Sequence, residues 1–235
     1  MTPRALLFDL DDTLFDHRRS ARAALAEVHT LFAPSFAFDT FERHHAHFLE
    51  EMHLEVLAGR MALDQARQER FRRVFDALGV SLNDDETRAV ASAYRQGYVT
   101  ARQPIAGAEQ LLAAAHEHAR IAIVSNNLLD EQRDKLDFCG LTPFVDALVV
   151  SEDVGMSKPD PAIFRIALSR LGASGEGATM IGDSWFADIE GAVSAGIRAV
   201  WFNPARHPRP ADLRVEEIHA LAPVEEVLPI LLPEA

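Results

Sequence analysis

The chain has 235 residues, 48% of them hydrophobic, enough for a substantial core in one domain or one domain with an insert, which excludes disordered and fibrous classes. Its 23 basic and 36 acidic side chains leave a formal charge of −13 without a local basic patch, so neither nucleic acid nor a membrane surface is an expected partner. No apolar run approaches the roughly 20 residues of a bilayer span, and the single cysteine, Cys139, excludes an internal disulfide and a cysteine zinc site. A cytoplasmic protein with Cys139 packed inside is expected.

The chain opens with "RALLFDLDDTLFDH", in which an apolar strand over 4–8 runs into Asp9, Asp11, Asp12 and Asp16. Burying ionised carboxylates without a partner costs several kcal/mol or forces protonation, so positive charge is expected among them. Residues 17–102 contain no convincing strand but several amphipathic stretches, "ARAALAEVHTLF", "FERHHAHFLEEMHLEVLAG", "ALDQARQERFRRVFDALG" and "DDETRAVASAYRQGYV", which predict an antiparallel helical bundle.

From about residue 104 the pattern alternates. "RIAIVS" (120–125), "DALVVS" (146–151), "ATMIGD" (178–183) and "IRAVWF" (197–202) read as strands, with helices over 107–118, 160–171 and 187–195 and a last helix from about 223. This alternation predicts a doubly wound parallel sheet covered on both faces. The expected division is a Rossmann-like α/β hydrolase core of residues 1–15 and 103–235, with an inserted helical cap over 16–102.

Each core strand ends in a polar group: Asp9, then Ser125 and Asn126, then Lys158 after the third, then Asp183. Ligands of open parallel sheets sit beyond the carboxyl ends of the strands, so these four segments converge on one crevice. Lys158 and a metal cation are the expected positive partners. Asp9 and Asp183 are hard oxygen ligands of the kind Mg²⁺ prefers. Asp9 is placed to attack phosphorus, with Ser125 and amides near Asn126 holding the phosphoryl oxygens. Asp11, two residues on, is placed to protonate the leaving alkoxide and later deprotonate water.

"FDLDDT", "VSNN", "SKPDP" and "GDSWFAD", in that order, resemble the four motifs of the haloacid dehalogenase-like hydrolase superfamily, with the insert placed like its helical cap. The resemblance implies Asp9 as nucleophile, Asp11 as acid/base with its carbonyl also on the metal, Ser125 and Lys158 on the phosphate, and Asp183 as magnesium ligand. Asp188 matches the last acid of the fourth motif, a contact to the metal or its water from the second shell. The superfamily commonly has glycine where this chain has Asp12, for which a structural polar contact is expected.

A second aspartate in the first motif marks phosphoryl transfer in this superfamily and argues against a haloacid dehalogenase. Phosphonatases of the group need a cap lysine, and 17–102 has none. "VSEDVGMSKPDPAIF" and "LAGRMALDQARQERF" are similar to bacterial pyrimidine 5'-nucleotidases and N-acylneuraminate-9-phosphatases. The expectation is a Mg²⁺-dependent phosphatase acting on a small phosphomonoester through an aspartyl-phosphate, a 5'-nucleotidase first. The alternatives are a sugar-phosphate phosphatase of acylneuraminate or phosphoglycolate type, a phosphosugar mutase, and a non-catalytic binding protein of the same fold.

Other features have competing readings. His44, His45, His47 and His53 crowd one helix; a zinc site there lacks a completing acid or cysteine, so surface or packing histidines are expected. "LGASGEGA" matches no phosphate-loop spacing and reads as a helix-to-strand turn. Trp185 and Phe186 are expected to pack. Arg70, Arg72 and Arg73 fit a solvated helix face and a receptor for a substrate's anionic tail equally well. Ser125 and Asn126 fit a helix cap as well as a phosphate site. Phe15 and His17 fit contacts to the leaving group or packing at the cap junction. The chain has only two lysines, Lys135 and Lys158, among many arginines, which singles both out.

Overall fold

The structure, a computed structural model, describes residues 4–210 and 212–233. In chain order the elements are β1 (Ala5–Phe8), α1 (His17–Phe32), α2 (Phe38–Leu57), α3 (Leu63–Ala77), α4 (Asp84–Thr100), α5 (Ala108–His116), β2 (Arg120–Ser125), α6 (Leu129–Phe138), β3 (Ala147–Val150), α7 (Ser151–Val154), α8 (Pro161–Leu171), β4 (Ala178–Gly182), a π-helical turn (Trp185–Glu190), α9 (Gly191–Ser194), β5 (Arg198–Phe202), β6 (Glu216–Ile218) and α10 (Val224–Leu231). Two compact units emerge, residues 1–16 with 103–235, and residues 17–102.

The first unit is a six-stranded sheet in the order β3-β2-β1-β4-β5-β6, parallel throughout. Its strands are the apolar runs read from the sequence. The exception is β6, whose "EEI" lies at the sheet edge and carries no apolar signal. Ala5, Leu7, Val124, Val149 and Met180 pack with Ile163 and Phe164 of α8, all essentially buried. Each of these side chains larger than alanine contributes about 1.5–3 kcal/mol of burial. Asp160 caps α8 through Ala162 N–H, and Pro161 at the first position needs no amide partner. Cys139 is buried, as expected.

The chain runs β1, β2, β3 to one side and then returns to place β4 against the other side of β1. This reversal opens a crevice at the carboxyl ends of β1 and β4. Phe8 lies level with Ile181 and with Ile123, so Asp9, Asp183 and Ser125 leave the sheet as neighbours.

In the second unit α1 packs on α4 and α2 on α3. Asn83 and Glu86 form a reciprocal capping box at the start of α4. Gly97 lets α4 approach α1 closely, since a β-carbon there would lie 3.1 Å from Ala24 Cα. Phe41, Phe71, Val74, Phe75 and Val90 fill the interior. Among the described residues no helix is long and apolar enough to cross a membrane.

Candidate active site

The segment after β1 wraps into a tight loop in which Leu10 O accepts from the N–H groups of Thr13, Leu14 and Phe15. Asp12 sits at φ +63° with its N–H donating to Phe15 O at 2.7 Å. Left-handed backbone is easiest for glycine and next for aspartate or asparagine, which gives a conformational reason for a glycine-like position here. Thr13 Oγ1 accepts from Asp183 N–H at 3.1 Å and ties this loop to the end of β4.

Asp9 is only 6% exposed. Lys158 Nζ lies 2.6 Å from Asp9 Oδ1 and 2.6 Å from Asp188 Oδ1. Asp188 is fully buried, and its other oxygen accepts from Ser184 N–H at 3.0 Å. Gly182 makes room for it, because a β-carbon there would fall 2.3 Å from Asp188 Oδ2. Carboxylate oxygens of Asp9, Asp183 and Asp188 lie within 4.8 Å of one another.

Three carboxylates around one ammonium leave a formal excess of two negative charges in a buried place. Burial pushes the Asp9 carboxyl well above the usual carboxylate range; Lys158 opposes this, while Asp188 and Asp183 reinforce it. Burial works against the Lys158 ammonium as well, yet Asp188 and Asp9 together raise it above its ordinary value. The cluster therefore fits a divalent cation: its donors are all hard oxygens, and two positive charges would balance it. Among the described residues this is the one acidic or histidine group with such geometry; His44, His45, His47 and His53 form none.

Ser125 and Asn126 do not cap α6. Ser125 Oγ accepts from Gln132 Nε2 at 2.6 Å. Asn126 grips the backbone of Lys158, donating to its carbonyl at 2.8 Å and accepting from its N–H at 2.7 Å. Asn127 Oδ1 and Glu152 meet the first amides of α6 instead.

Asp11 stands apart from the acidic triad. Lys135 Nζ lies 2.5 Å from its Oδ1, and Asn127 Nδ2 and Gln132 Nε2 each donate to its Oδ2 at 3.0 Å. Gln132 thus bridges Asp11 to Ser125. Lys135, Gln132 and Asn127 were not identified as site residues from the sequence. The available signal was the scarcity of lysine, together with the Gln132–Lys135 spacing that sets both on one face of α6. Trp185 packs edge-on against Trp201 at 5.0 Å between ring centroids, whereas Phe186 is 64% exposed. The stretch "LGASGEGA" is the expected turn, with Gly172 ending α8 in left-handed backbone.

A parallel sheet that gathers acids and a lysine at its switch point forms a ligand crevice, and the proteins that the chain is similar to make it a hydrolase of phosphoric monoesters. The chain belongs to the haloacid dehalogenase-like hydrolase family, whose model matches residues 3–196. It is 31% identical over 207 residues to the ribulose-1,5-bisphosphate 5-phosphatase of Halopiger xanaduensis, covering 86% of this chain and 85% of that protein. It is 27% identical over 221 residues to the pyrimidine 5'-nucleotidase YjjG of Escherichia coli, covering 92% and 95%. A crystal structure of the HAD-hydrolase YfnB of Bacillus subtilis, bound to magnesium, matches 98% of this chain and 99% of its own at 28% identity, with a TM-score of 0.75.

Proposed function

We propose that this phosphatase is Mg²⁺-dependent, works through an aspartyl-phosphate on Asp9, and prefers a phosphate on a primary carbon attached to a bulky ring, pyrimidine 5'-monophosphates first. Residues 1–15 and 103–235 form the catalytic core in this reading, and residues 16–102 the cap. The observation that carries it is the buried Asp9–Lys158–Asp188 chain with Asp183 beside it.

Asp9, Asp183 and the Asp11 carbonyl would hold Mg²⁺, with Asp188 steadying Lys158 and the metal's surroundings; such a cation would supply charge neutralisation of the phosphoryl oxygens. In the first half-reaction an Asp9 carboxylate oxygen forms a bond to phosphorus as the ester P–O bond breaks, and Asp11 in its acid form delivers its proton to the departing alkoxide. In the second, Asp11 takes a proton from water, whose oxygen bonds to phosphorus as the Asp9–phosphorus bond breaks and orthophosphate leaves. Lys158 offsets phosphoryl charge, and Ser125 and amides near Asn126 hold the equatorial oxygens.

Support for the nucleotide preference comes from the similarity to the pyrimidine nucleotidase. A sugar-phosphate phosphatase is the second reading, favoured by the similarity to an enzyme named for ribulose 1,5-bisphosphate. A phosphate-release screen at matched concentrations, with Mg²⁺ and with excess chelator, tests both. Specificity constants for nucleoside monophosphates above those for hexose phosphates and phosphoglycolate are expected; the reverse order rejects the nucleotide preference and leaves the core chemistry standing.

A further inference from the structure

The three arginines clustered on α3 have separate environments. Arg72 lies against Glu69 and Asp76, and Arg73 against Glu69 and Glu51, as surface ion pairs. Arg70 turns inward and is only 7% exposed. Its guanidinium carbon lies 4.9 Å from the Phe71 ring centroid and 4.7 Å from that of Tyr94 on α4. Arg70 Nε has no hydrogen-bond partner, and among the described residues no carboxylate pairs with this side chain. His45 of α2, 4% exposed, sits 5.5 Å and 5.1 Å from the same two rings, and its Nε2 is likewise without a partner.

A cation buried this deeply is costly unless it is paired. Stacking on aromatic faces returns only part of that cost. The shortfall shows in the groups themselves. Burial pushes the Arg70 guanidinium below its ordinary value, and burial with the Arg70 and His17 charges pushes the His45 imidazole well below its own. A chain with 36 acidic residues has placed none of them here.

We propose that Arg70, with His45 beside it and Phe71 and Tyr94 framing it, is an oxyanion-binding site of the helical unit that takes a small carboxylate or phosphate anion. The guanidinium is a planar fork that meets a carboxylate or phosphate with two parallel hydrogen bonds. The neutral His45 imidazole supplies one further N–H. The oxyanion is a small anion held within this unit, and the site does not rest on the phosphatase reading.

The test uses the full chain, Arg70→Met and Arg70→Lys, each first checked for a cooperative melt. Malonate and inorganic phosphate binding are measured by calorimetry. The wild type is expected to bind at least one of them, and Arg70→Met to weaken that binding about tenfold or more, the worth of one charge-assisted contact, with Arg70→Lys in between. Calorimetry needs no turnover, so a failed phosphatase reading leaves this test legible. Phosphate that also binds at the Asp9 site is separated by repeating the titration in Asp9→Asn. No binding of either anion by the wild type, or an affinity unchanged in Arg70→Met, overturns the site.

Discussion

Lys135 Nζ stands 2.5 Å from Asp11 Oδ1, and so one of only two lysines in the chain is committed to a carboxylate outside the acidic triad. With Asn127 and Gln132 on the other oxygen, Asp11 is held from three sides. If Asp11 is the acid and base, its aim depends on this clamp. Lys135→Met should lower kcat by about tenfold to a hundredfold, the scale of a misplaced acid–base group. Trapped phosphoenzyme should accumulate because its breakdown slows, and Lys135→Arg should recover part of the rate. Wild-type breakdown of the phosphoenzyme in Lys135→Met would remove Lys135 from this role.

Asp9→Asn keeps the shape of the site and removes the attacking oxygen, so turnover and labelling of the protein by substrate phosphate should both vanish. Asp11→Asn should instead slow breakdown of the labelled enzyme. A phosphoryl group trapped on any other residue would overturn the assignment of Asp9.

The two excess negative charges at Asp9, Asp183 and Asp188 predict that Mg²⁺ raises the melting temperature of the wild type, and that Asp183→Ala loses both this shift and the activity. Full turnover in excess chelator is the result that counts against the metal.

Gly182→Ala places a β-carbon where Asp188 Oδ2 already is. Overpacking of this kind costs about 1–3 kcal/mol, and here the atom displaced belongs to the partner of Lys158. A lowered melting temperature together with a loss of kcat is expected. Unchanged values of both would mean that Asp188 is dispensable as placed.

His45 carries a pH dependence with a definite sign. Its imidazole is held well below 6.5 by burial and the neighbouring charges, so the unfolded chain binds a proton that the folded chain refuses. Stability from this group is present above 6.5 and falls as the pH drops towards the lowered value, by up to about 1.4 kcal/mol per pH unit. Denaturant melts at pH 7 and pH 5 should show a smaller acid loss for His45→Leu than for the wild type. Equal losses would contradict this.

Five strands of the sheet, the helical insert and the convergence of Asp9, Ser125, Lys158 and Asp183 were legible in the sequence because they follow from local pattern and chain order. Apolar runs must be buried, and in a parallel sheet their carboxyl ends must share one edge. β6 was not legible, since a three-residue edge strand with two glutamates has no apolar run to announce it. Neither was the environment of any one cation. Arg70, Arg72 and Arg73 are near neighbours of one residue type, yet two face acids at the surface and one faces aromatic rings inside. The deciding factor was the packing of α2 and α4 around α3, a long-range fact that α3 does not encode alone. In the same way the two lysines were equally conspicuous in the chain, and only the docking of α6 beside the loop after β1 assigned Lys135 to Asp11. A charge finds its partner through distances set by tertiary packing, whereas burial and periodicity are already written in the order of the residues.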